Sequence, residues 1–172
     1  GNVMASRGSV IPLFVDAIKN NQPITIPDPS MTRFMMSLEE SVDLVLYAFA
    51  HGEQGDLFVQ KASACTVEIL AQALIKIFNS KVDMEIIGTR HGEKLYETLI
   101  SREEMSKAVD LERYFKIPTD NRDLNYKKYE RSGNISANLL DDYTSENTLR
   151  LNLDQTCDLL LKLDFIQERL TS

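Results

Sequence analysis

Helix-like and strand-like patterns alternate along the first hundred residues, and this alternation restricts the chain to an α/β fold. Apolar residues recur at helical spacing in three stretches: 9–21, 37–50 and 65–79. Short segments with strand patterns follow or separate these stretches, at 24–26, 55–62 and 82–87. The last of them is expected to be a buried strand that runs into the charged sequence GTRHGEKLYE.

Capping signals mark where several helices begin. Ser37 and Glu40 have the spacing of a capping box, Thr66 stands before the strongest helical pattern, and Ser101 with Glu104 predicts a short helix. Beyond residue 101 the pattern is less regular. Residues 118–148 are polar and predict a long ordered or partly mobile tail, and residues 153–166 predict one closing amphipathic helix. We therefore divide the chain into an α/β portion, 1–100, and a C-terminal extension, 101–172.

Composition excludes several classes of partner and site. The net charge of −7 argues against a nucleic-acid or anionic-membrane surface, because both need a positive field. The two cysteines, Cys65 and Cys157, lack metal or redox spacing, so no metal site is predicted and a reducing, cytoplasmic compartment fits. No membrane span or signal peptide is expected. The chain begins at Gly1 inside a motif-like stretch, which predicts that an N-terminal part is missing.

Motifs for cofactor binding and catalysis are absent from the sequence. The seven glycines give no G-x-G-x-x-G fingerprint, and no tyrosine has a lysine four residues later. The sequence contains neither a nucleophile-elbow motif nor a pair of histidines with the spacing of metal ligands. The two histidines are His51 and His91, and His51 is interpreted as a cap at a helix end. No catalytic, cofactor-binding or metal-binding residue is therefore assigned in this chain.

The candidate ligand-binding residues of the sequence lie in motifs that are centred on arginines. In GNVMASRGS, Arg7 beside Gly8 and the start of a helix suits a phosphate, although a simple strand-to-helix turn capped by Ser9 explains the same residues. In PDPSMTRFMMS, Arg33 is flanked by apolar residues and is expected to be partly buried. Its anionic partner is either an internal carboxylate, Asp28 or Glu40, or a ligand.

The charged turn at residues 88–97 also has two interpretations, a ligand-binding site or a structural surface turn. In GTRHGEKLYE, Arg90 can bind an anion and Glu93 can accept from hydroxyl groups, which is a sensible arrangement for a nucleotide. The alternative is a solvated surface turn followed by a helix. The later stretch DNRDLNYKKYE packs Arg122, Asp123 and Tyr126 together, and we assign it no chemistry.

These motifs, in this order, resemble one family. The chain is similar to the C-terminal half of the bacterial UDP-sugar 4,6-dehydratases and epimerases of capsule and O-antigen synthesis, which are extended short-chain dehydrogenase/reductases. The matching stretches are GNVMASRGSVIPLF, PITIPDPSMTRFMMSLEESV, GDLFVQKA, IIGTRHGEKLYETLISREEM, IPTDNRDLNY and ENTLRLNLDQTCDLLLKLDFI. His91 stands where flagellin-glycosylation relatives carry proline, which favours the capsule-type branch. That branch includes UDP-N-acetylglucosamine 4,6-dehydratase/5-epimerases and proteins called UDP-glucose 4-epimerase.

The resemblance implies an enzyme with an N-terminal Rossmann domain that binds NAD or NADP and a C-terminal portion that binds a UDP-sugar. It implies that this chain lacks the Rossmann domain. It implies eight substrate-binding residues: Asn2 and Arg7 in a loop facing the diphosphate, Ile24, Thr25 and Ile26 on a strand edge at the uracil, Arg33 and Arg90 on the diphosphate, and Glu93 on the ribose. The sequence thus predicts the α/β C-terminal substrate-binding portion of an extended short-chain dehydrogenase/reductase, lacking most of its NAD(P)-binding Rossmann domain.

The function predicted from this resemblance is the substrate-binding half of a UDP-N-acetylglucosamine 4,6-dehydratase, homo-oligomeric when full length. UDP-glucose 4-epimerase is the alternative outcome. The half present here is expected to be inactive alone. Two hypotheses of another class remain open: a non-enzymatic module that dimerises through apolar helix faces such as 37–50, and a domain whose acidic tail binds a protein partner.

Overall fold

The computed structural model describes residues 3–119 and 141–171 of the chain. Within these ranges the chain forms six α-helices and nine β-strands. The helices are α1 (Val10–Lys19), α2 (Leu38–His51), α3 (Val67–Ile77), α4 (Arg102–Met105), α5 (Leu153–Leu160) and α6 (Asp164–Thr171). The strands are β1 (Ile24–Ile26), β2 (Thr32–Met35), β3 (Leu57–Gln60), β4 (Ser63–Thr66), β5 (Met84–Ile86), β6 (Thr98–Ile100), β7 (Val109–Leu111), β8 (Tyr114–Ile117) and β9 (Tyr143–Thr144).

These elements form two compact units. Unit 1 takes its described residues from Gly1–Leu38, Ala62–Glu97 and Ser145–Ser172, and unit 2 takes its described residues from Glu39–Lys61 and Thr98–Thr144. Each unit therefore contains separated stretches of the chain. The division at residue 100 that we draw from the sequence stays a prediction.

Helix α1 begins the core of unit 1 because its apolar residues lie on one face. Ile11, Phe14, Val15 and Ile18 are buried, whereas Leu13 on the opposite face is 62% exposed. The helix ends at Lys19, Asn20 is its C-cap residue, and Asn21 turns the chain with a φ of 51°. The helix predicted at 9–21 is confirmed.

Helix α3 lies in the same core and follows strand β4 directly. The Thr66 hydroxyl accepts a hydrogen bond from the Ile69 N–H at 3.1 Å, so the predicted cap is confirmed. Leu70 and Leu74 of α3 share one buried cluster with Phe14 of α1 and Leu160 of α5. Two strand pairs complete unit 1: β1 runs parallel to β5, and β2 runs antiparallel to β4.

Unit 2 is built on a three-stranded antiparallel sheet of order β3-β8-β7, and on the pair β6-β9. The Tyr47 ring of α2 lies 4.5 Å from the Tyr114 ring of β8, measured between centroids. The Lys116 ammonium binds the Asp56 carboxylate at 2.7 Å, and this contact lowers the pKa of Asp56 below its ordinary value. The short helix α4 has the capping box predicted from Ser101 and Glu104.

Helix α2 confirms the predicted helix, but the described residues of unit 2 do not cover its apolar stripe. None of its residues is buried, and its large apolar side chains are exposed by 49% to 86%: Leu38, Val42, Val45, Leu46 and Phe49. The predicted Ser37 and Glu40 capping box stays a prediction. Among the described residues, none of the helices combines the length and apolarity needed to cross a bilayer.

Two expectations about secondary structure are wrong. The segment 82–87 forms β5 but is not buried: Ile86 is 66% and Ile87 50% exposed, because β5 pairs with β1 on one edge only and its outer face is uncovered. The closing helix is two helices, since the chain turns at Leu161–Leu163 between α5 and α6. Of the predicted polar tail, residues 120–140 lie outside the described residues, and so do Arg122, Asp123 and Tyr126.

Candidate functional site

A cleft of about 320 Å³ opens in unit 1 at the start of α1. Its wall combines apolar side chains with the polar loop that precedes the helix. The described lining residues are Val3, Met4, Ser6, Arg7, Gly8, Ser9, Val10, Ile11, Arg33, Phe34, Met35 and Leu70. Two of these residues are arginines and none is a carboxylate, in a chain whose net charge is −7. The cleft is therefore a local positive site on an acidic protein.

The loop before α1 leaves the N-terminus of that helix uncapped by side chains. Gly8 has a φ of 78°, which any other residue would adopt only with strain. Ser9 occupies the N-cap position, but its hydroxyl makes no capping hydrogen bond. The Ser9 Oγ is buried and, among the described atoms, has no hydrogen-bond partner. The Ser9 side chain therefore does not occupy the first helical N–H groups, of Val10 and Ile11, and these groups can bind an anion.

Arg33 is held at the cleft by main-chain acceptors. Its side chain is 24% exposed, which confirms the expected partial burial. The Nη1 group donates to the Thr32 carbonyl at 2.8 Å and lies 3.5 Å from the Leu95 carbonyl. The nearest described carboxylate is that of Glu97, with its Oε1 at 3.7 Å from Nε. This ion pair is loose, so the guanidinium keeps donors for a further anion.

Of the two internal carboxylates suggested by the sequence, Asp28 has other partners. Its Oδ1 accepts from the Ser30 hydroxyl at 2.6 Å and from the Ser30 N–H at 2.7 Å. These hydrogen bonds lower the pKa of Asp28 below its ordinary value, so the carboxylate stays ionised within its own turn. No local pattern in the sequence indicates Glu97 as the partner of Arg33, because residues 33 and 97 meet only through the tertiary fold.

Within the described ranges, strand β1 pairs with β5 alone, and its other edge has no strand partner. The Ile24 N–H donates to Asp83 and the Ile26 carbonyl accepts from Ile87, both at 2.9 Å, so these groups face β5. Alternate residues of a strand direct their groups to opposite edges, and the backbone groups of Thr25 therefore point away from β5. Thr25 is exposed, whereas Ile24 and Ile26 bury their side chains in the core. A planar ligand group could form hydrogen bonds with the backbone N–H and carbonyl of Thr25, so no polar side chain is needed at this edge.

The charged turn after β5 is exposed to solvent. The Glu93 Oε2 accepts from the Arg90 N–H at 2.8 Å, which closes the turn. The chain then returns to β2, where the Thr32 N–H donates to the Leu95 carbonyl at 2.9 Å. Of the described residues, the cleft lining includes Arg33 but not Arg90.

The structure therefore brings together part of the predicted site. Arg7 and Arg33 line one cleft; Ile24, Thr25 and Ile26 form β1; Arg90 and Glu93 occupy the exposed turn; and Asn2 lies outside the described residues. The substrate roles of all eight residues stay predictions. Two neighbours of Arg33 were not predicted from the sequence: Glu97, and Ser145, which contacts both Thr32 and Glu97. Ser9 occupies the N-cap position that the alternative interpretation gave it, but its hydroxyl makes no capping hydrogen bond.

Other reactive groups have structural partners or are buried. The His51 Nδ1 lies 3.0 Å from the Tyr47 carbonyl in the last turn of α2, which confirms the interpretation as a helix cap. In residues 3–119 and 141–171 no cluster of side chains has the composition of a metal site. Cys65 and Cys157 are free and buried.

Both thiols should resist modification in the folded chain. Burial raises the pKa of Cys65 to about 12 and also raises that of Cys157, so at pH 8 almost none of the reactive thiolate of Cys65 exists. We expect Ellman's reagent at pH 8 to label neither cysteine in the native protein and both in guanidinium chloride. Rapid native labelling of one equivalent, in a Cys157→Ser variant that leaves only Cys65, would contradict the burial described here.

Comparison with known proteins connects this cleft to a family. Residues 1–119 match the family model described as "Polysaccharide biosynthesis protein", and residues 120–167 match "Polysaccharide biosynthesis protein C-terminal". The chain belongs to this polysaccharide biosynthesis family. The cleft lies within residues covered by the first model, and Ser145 lies within those covered by the second.

Individual relatives agree with the family assignment. The chain is 64% identical over 170 residues to a protein called UDP-glucose 4-epimerase from Rickettsia rickettsii (strain Sheila Smith), and 62% identical to one of that name from Rickettsia prowazekii (strain Madrid E). Each alignment covers 99% of this chain and 50% of the relative. The chain therefore spans about half the length of these curated relatives.

A solved structure shares the fold. It is the X-ray structure of Pen from Bacillus thuringiensis, with 32% identity and a TM-score of 0.74, over 95% of this chain and 47% of that one. The mixed α/β class is confirmed, and the half-length matches fit the predicted C-terminal portion of an extended short-chain dehydrogenase/reductase. The predicted link to polysaccharide biosynthesis and to UDP-sugar epimerase-like proteins is confirmed at the level of the family.

Proposed function

We propose that this chain is the UDP-sugar-binding portion of an enzyme of bacterial polysaccharide biosynthesis. The observation that carries the proposal is the cleft, where two arginines meet a helix N-terminus that Ser9 does not cap, and where the described lining residues include no carboxylate. A diphosphate needs this combination of guanidinium and backbone N–H donors. The names of the relatives supply the class of nucleotide, a UDP-sugar.

Each part of the proposed nucleotide has its own binding element. Arg7, Arg33 and the start of α1 bind the diphosphate, and the family resemblance of the sequence assigns Asn2 to the same group. Arg90 approaches the diphosphate from the turn after β5, and Glu93 accepts hydrogen bonds from the ribose hydroxyls. The Thr25 backbone edge between Ile24 and Ile26 pairs with the uracil, which requires one donor and one acceptor.

For the full protein we propose UDP-N-acetylglucosamine 4,6-dehydratase activity, with UDP-glucose 4-epimerase as the alternative that the relatives' names favour. Both reactions begin with removal of a hydride from C4 of the sugar. NAD or NADP, when bound, would accept that hydride. This chain's glycines do not form a dinucleotide fingerprint, so we assign it no cofactor residue. Its contribution is to fix the nucleotide and thereby orient the sugar, and alone it is expected to be inactive.

Calorimetric titration of the chain with UDP, UMP and uridine tests the proposed site. We expect affinity to fall in that order, because each phosphate removed takes away partners of the arginines. Equal affinity for UDP and uridine, or no binding of UDP at millimolar concentration, would contradict the site. Incubating the full-length protein with each UDP-sugar, followed by NMR of the products, distinguishes dehydration from epimerisation.

The exposed apolar face of α2 supports a second candidate function, docking. Its residues Val42, Val45 and Phe49 form a stripe that none of the described residues of unit 2 buries. We propose that this stripe packs against the remaining half of the full-length protein, because the relatives are twice as long as this chain. The competing occupant is a second copy of the chain.

Light scattering of the 172-residue chain separates the two occupants. A monomer supports docking on the other half, and a dimer that Phe49→Asp dissociates supports self-association. Hydrogen exchange then compares α2 in this chain and in the full-length protein. Slower exchange of α2 in the full-length protein is expected if the other half covers the stripe.

A further inference from the structure

We propose that Ser145 is a positioning residue that holds the Arg33 guanidinium in place for the diphosphate. The inference rests on the proposed function, because it concerns how the same cleft is kept in its binding geometry. Ser145 lies 112 positions from Arg33 in the sequence, in the polar stretch TSENT to which the sequence assigned no chemistry. It does not line the cleft, so its effect must pass through other residues.

The Ser145 hydroxyl is fully buried, and its bonding capacity is fully used. Its Oγ lies 2.7 Å from the Thr32 hydroxyl, accepts from the Glu97 N–H at 2.9 Å and donates to the Thr32 carbonyl at 3.1 Å. A hydroxyl has one donor and two acceptor positions, so these three contacts saturate it when the Thr32 hydroxyl donates. The Ser145 N–H also donates to the Glu97 carbonyl at 2.8 Å.

Thr32 and Glu97, the two residues that Ser145 binds, both contact Arg33. The Thr32 carbonyl accepts from both the Ser145 hydroxyl and the Arg33 Nη1, so one oxygen joins them. The Glu97 carboxylate, 3.7 Å from the Arg33 Nε, projects from the backbone that Ser145 binds through two hydrogen bonds. Without Ser145, both acceptors lose a restraint, and the guanidinium gains freedom that it must lose on binding an anion.

A spectroscopic test measures this positioning directly. In the ¹⁵N spectrum of the arginine side chains, Arg33→Lys identifies the Arg33 Nε–Hε signal by its loss. We expect Ser145→Ala to shift or broaden that signal and to lower its heteronuclear NOE. The control is Thr148→Val, which removes another hydroxyl of the same segment that donates to the Ala62 carbonyl at 2.8 Å, and which should leave the signal unchanged. An unaltered Arg33 signal in Ser145→Ala overturns the proposal.

A double-mutant cycle measures the consequence for binding. We expect Ser145→Ala to weaken UDP binding about 5- to 10-fold, to leave uridine binding within about twofold, and to have no effect on UDP in an Arg33→Ala background. An equal loss for uridine, or an equal loss in the Arg33→Ala background, shows a merely structural role and overturns the proposal.

A failure of the proposed function and a failure of the Ser145 proposal give different results. If the wild-type chain binds no UDP, the proposed function fails, and the Arg33 signal alone decides whether Ser145 positions the guanidinium. If Ser145→Ala does not fold, Ser145→Cys replaces it, because the thiol fills similar space but is only a weak donor and a weak acceptor at the three contacts of the hydroxyl. The same shift of the Arg33 signal is expected, and its absence overturns the proposal.

Discussion

Replacing Arg33 with alanine is expected to weaken UDP binding by about 50-fold. A hydrogen bond to a charged group contributes about 1.5–3 kcal/mol, and 1.4 kcal/mol corresponds to a tenfold change in affinity. Arg33 is only loosely paired with Glu97, so its guanidinium can still donate to a phosphate. Arg33→Lys keeps the charge but loses the planar fork, and we expect it to recover only part of the affinity.

The ligand and the control variants make this expectation specific. Uridine affinity should change less than twofold in Arg33→Ala, because uridine carries no phosphate. Arg102→Ala removes an equally charged but exposed side chain in unit 2 that does not line the cleft, and UDP affinity should then stay at the wild-type value. The diphosphate assignment fails if Arg33→Ala binds UDP as tightly as the wild type, or if Arg102→Ala weakens binding as much.

Phe14→Ala is expected to destabilise the chain by about 3–5 kcal/mol. Phe14 is 2% exposed in the cluster that joins α1, α3 and α5, so its removal leaves a cavity that close-packed neighbours fill only in part. The measurement is guanidinium-induced unfolding followed by circular dichroism, with the free energy extrapolated to water. A loss of this size is a large share of the 5–15 kcal/mol that ordinarily separates native from unfolded states.

The adjacent residue provides the matched control. Leu13 belongs to the same helix but is 62% exposed, so Leu13→Ala should change the free energy of unfolding by less than about 1 kcal/mol. Both substitutions introduce the residue with the highest helix propensity, and their difference therefore reports burial rather than helix formation. Comparable losses for the two variants would show that α1 does not present the face described here.

The elements that the sequence predicts correctly are those whose pattern is local. The stripe of α1, the Thr66 cap of α3 and the capping box of α4 each depend on residues within a few positions of one another. Strands β2 and β4 were missed because the apolar run around Arg33 and the short segment before Thr66 show no alternation. They become strands by pairing with each other across some thirty residues.

The candidate site shows the same limit. The arginine motifs and their resemblance to UDP-sugar enzymes are present in the sequence, and the structure places Arg7 and Arg33 at one cleft. The neighbours that hold Arg33 come from residues 95–97 and from Ser145. No local pattern links these positions, since their contacts are made only when distant segments pack together.

What the sequence alone determined is therefore the alternation of α1, β1, α2, β3, α3 and β5, and the identity of the charged groups available to a ligand. The tertiary structure decided which of those groups are buried, which are partnered and which line one cleft. The exposed stripe of α2 and the exposed Ile86 have the apolar composition of a core, yet their chain neighbours do not cover them. Periodicity fixes the face on which a side chain lies, whereas burial depends on what packs against that face.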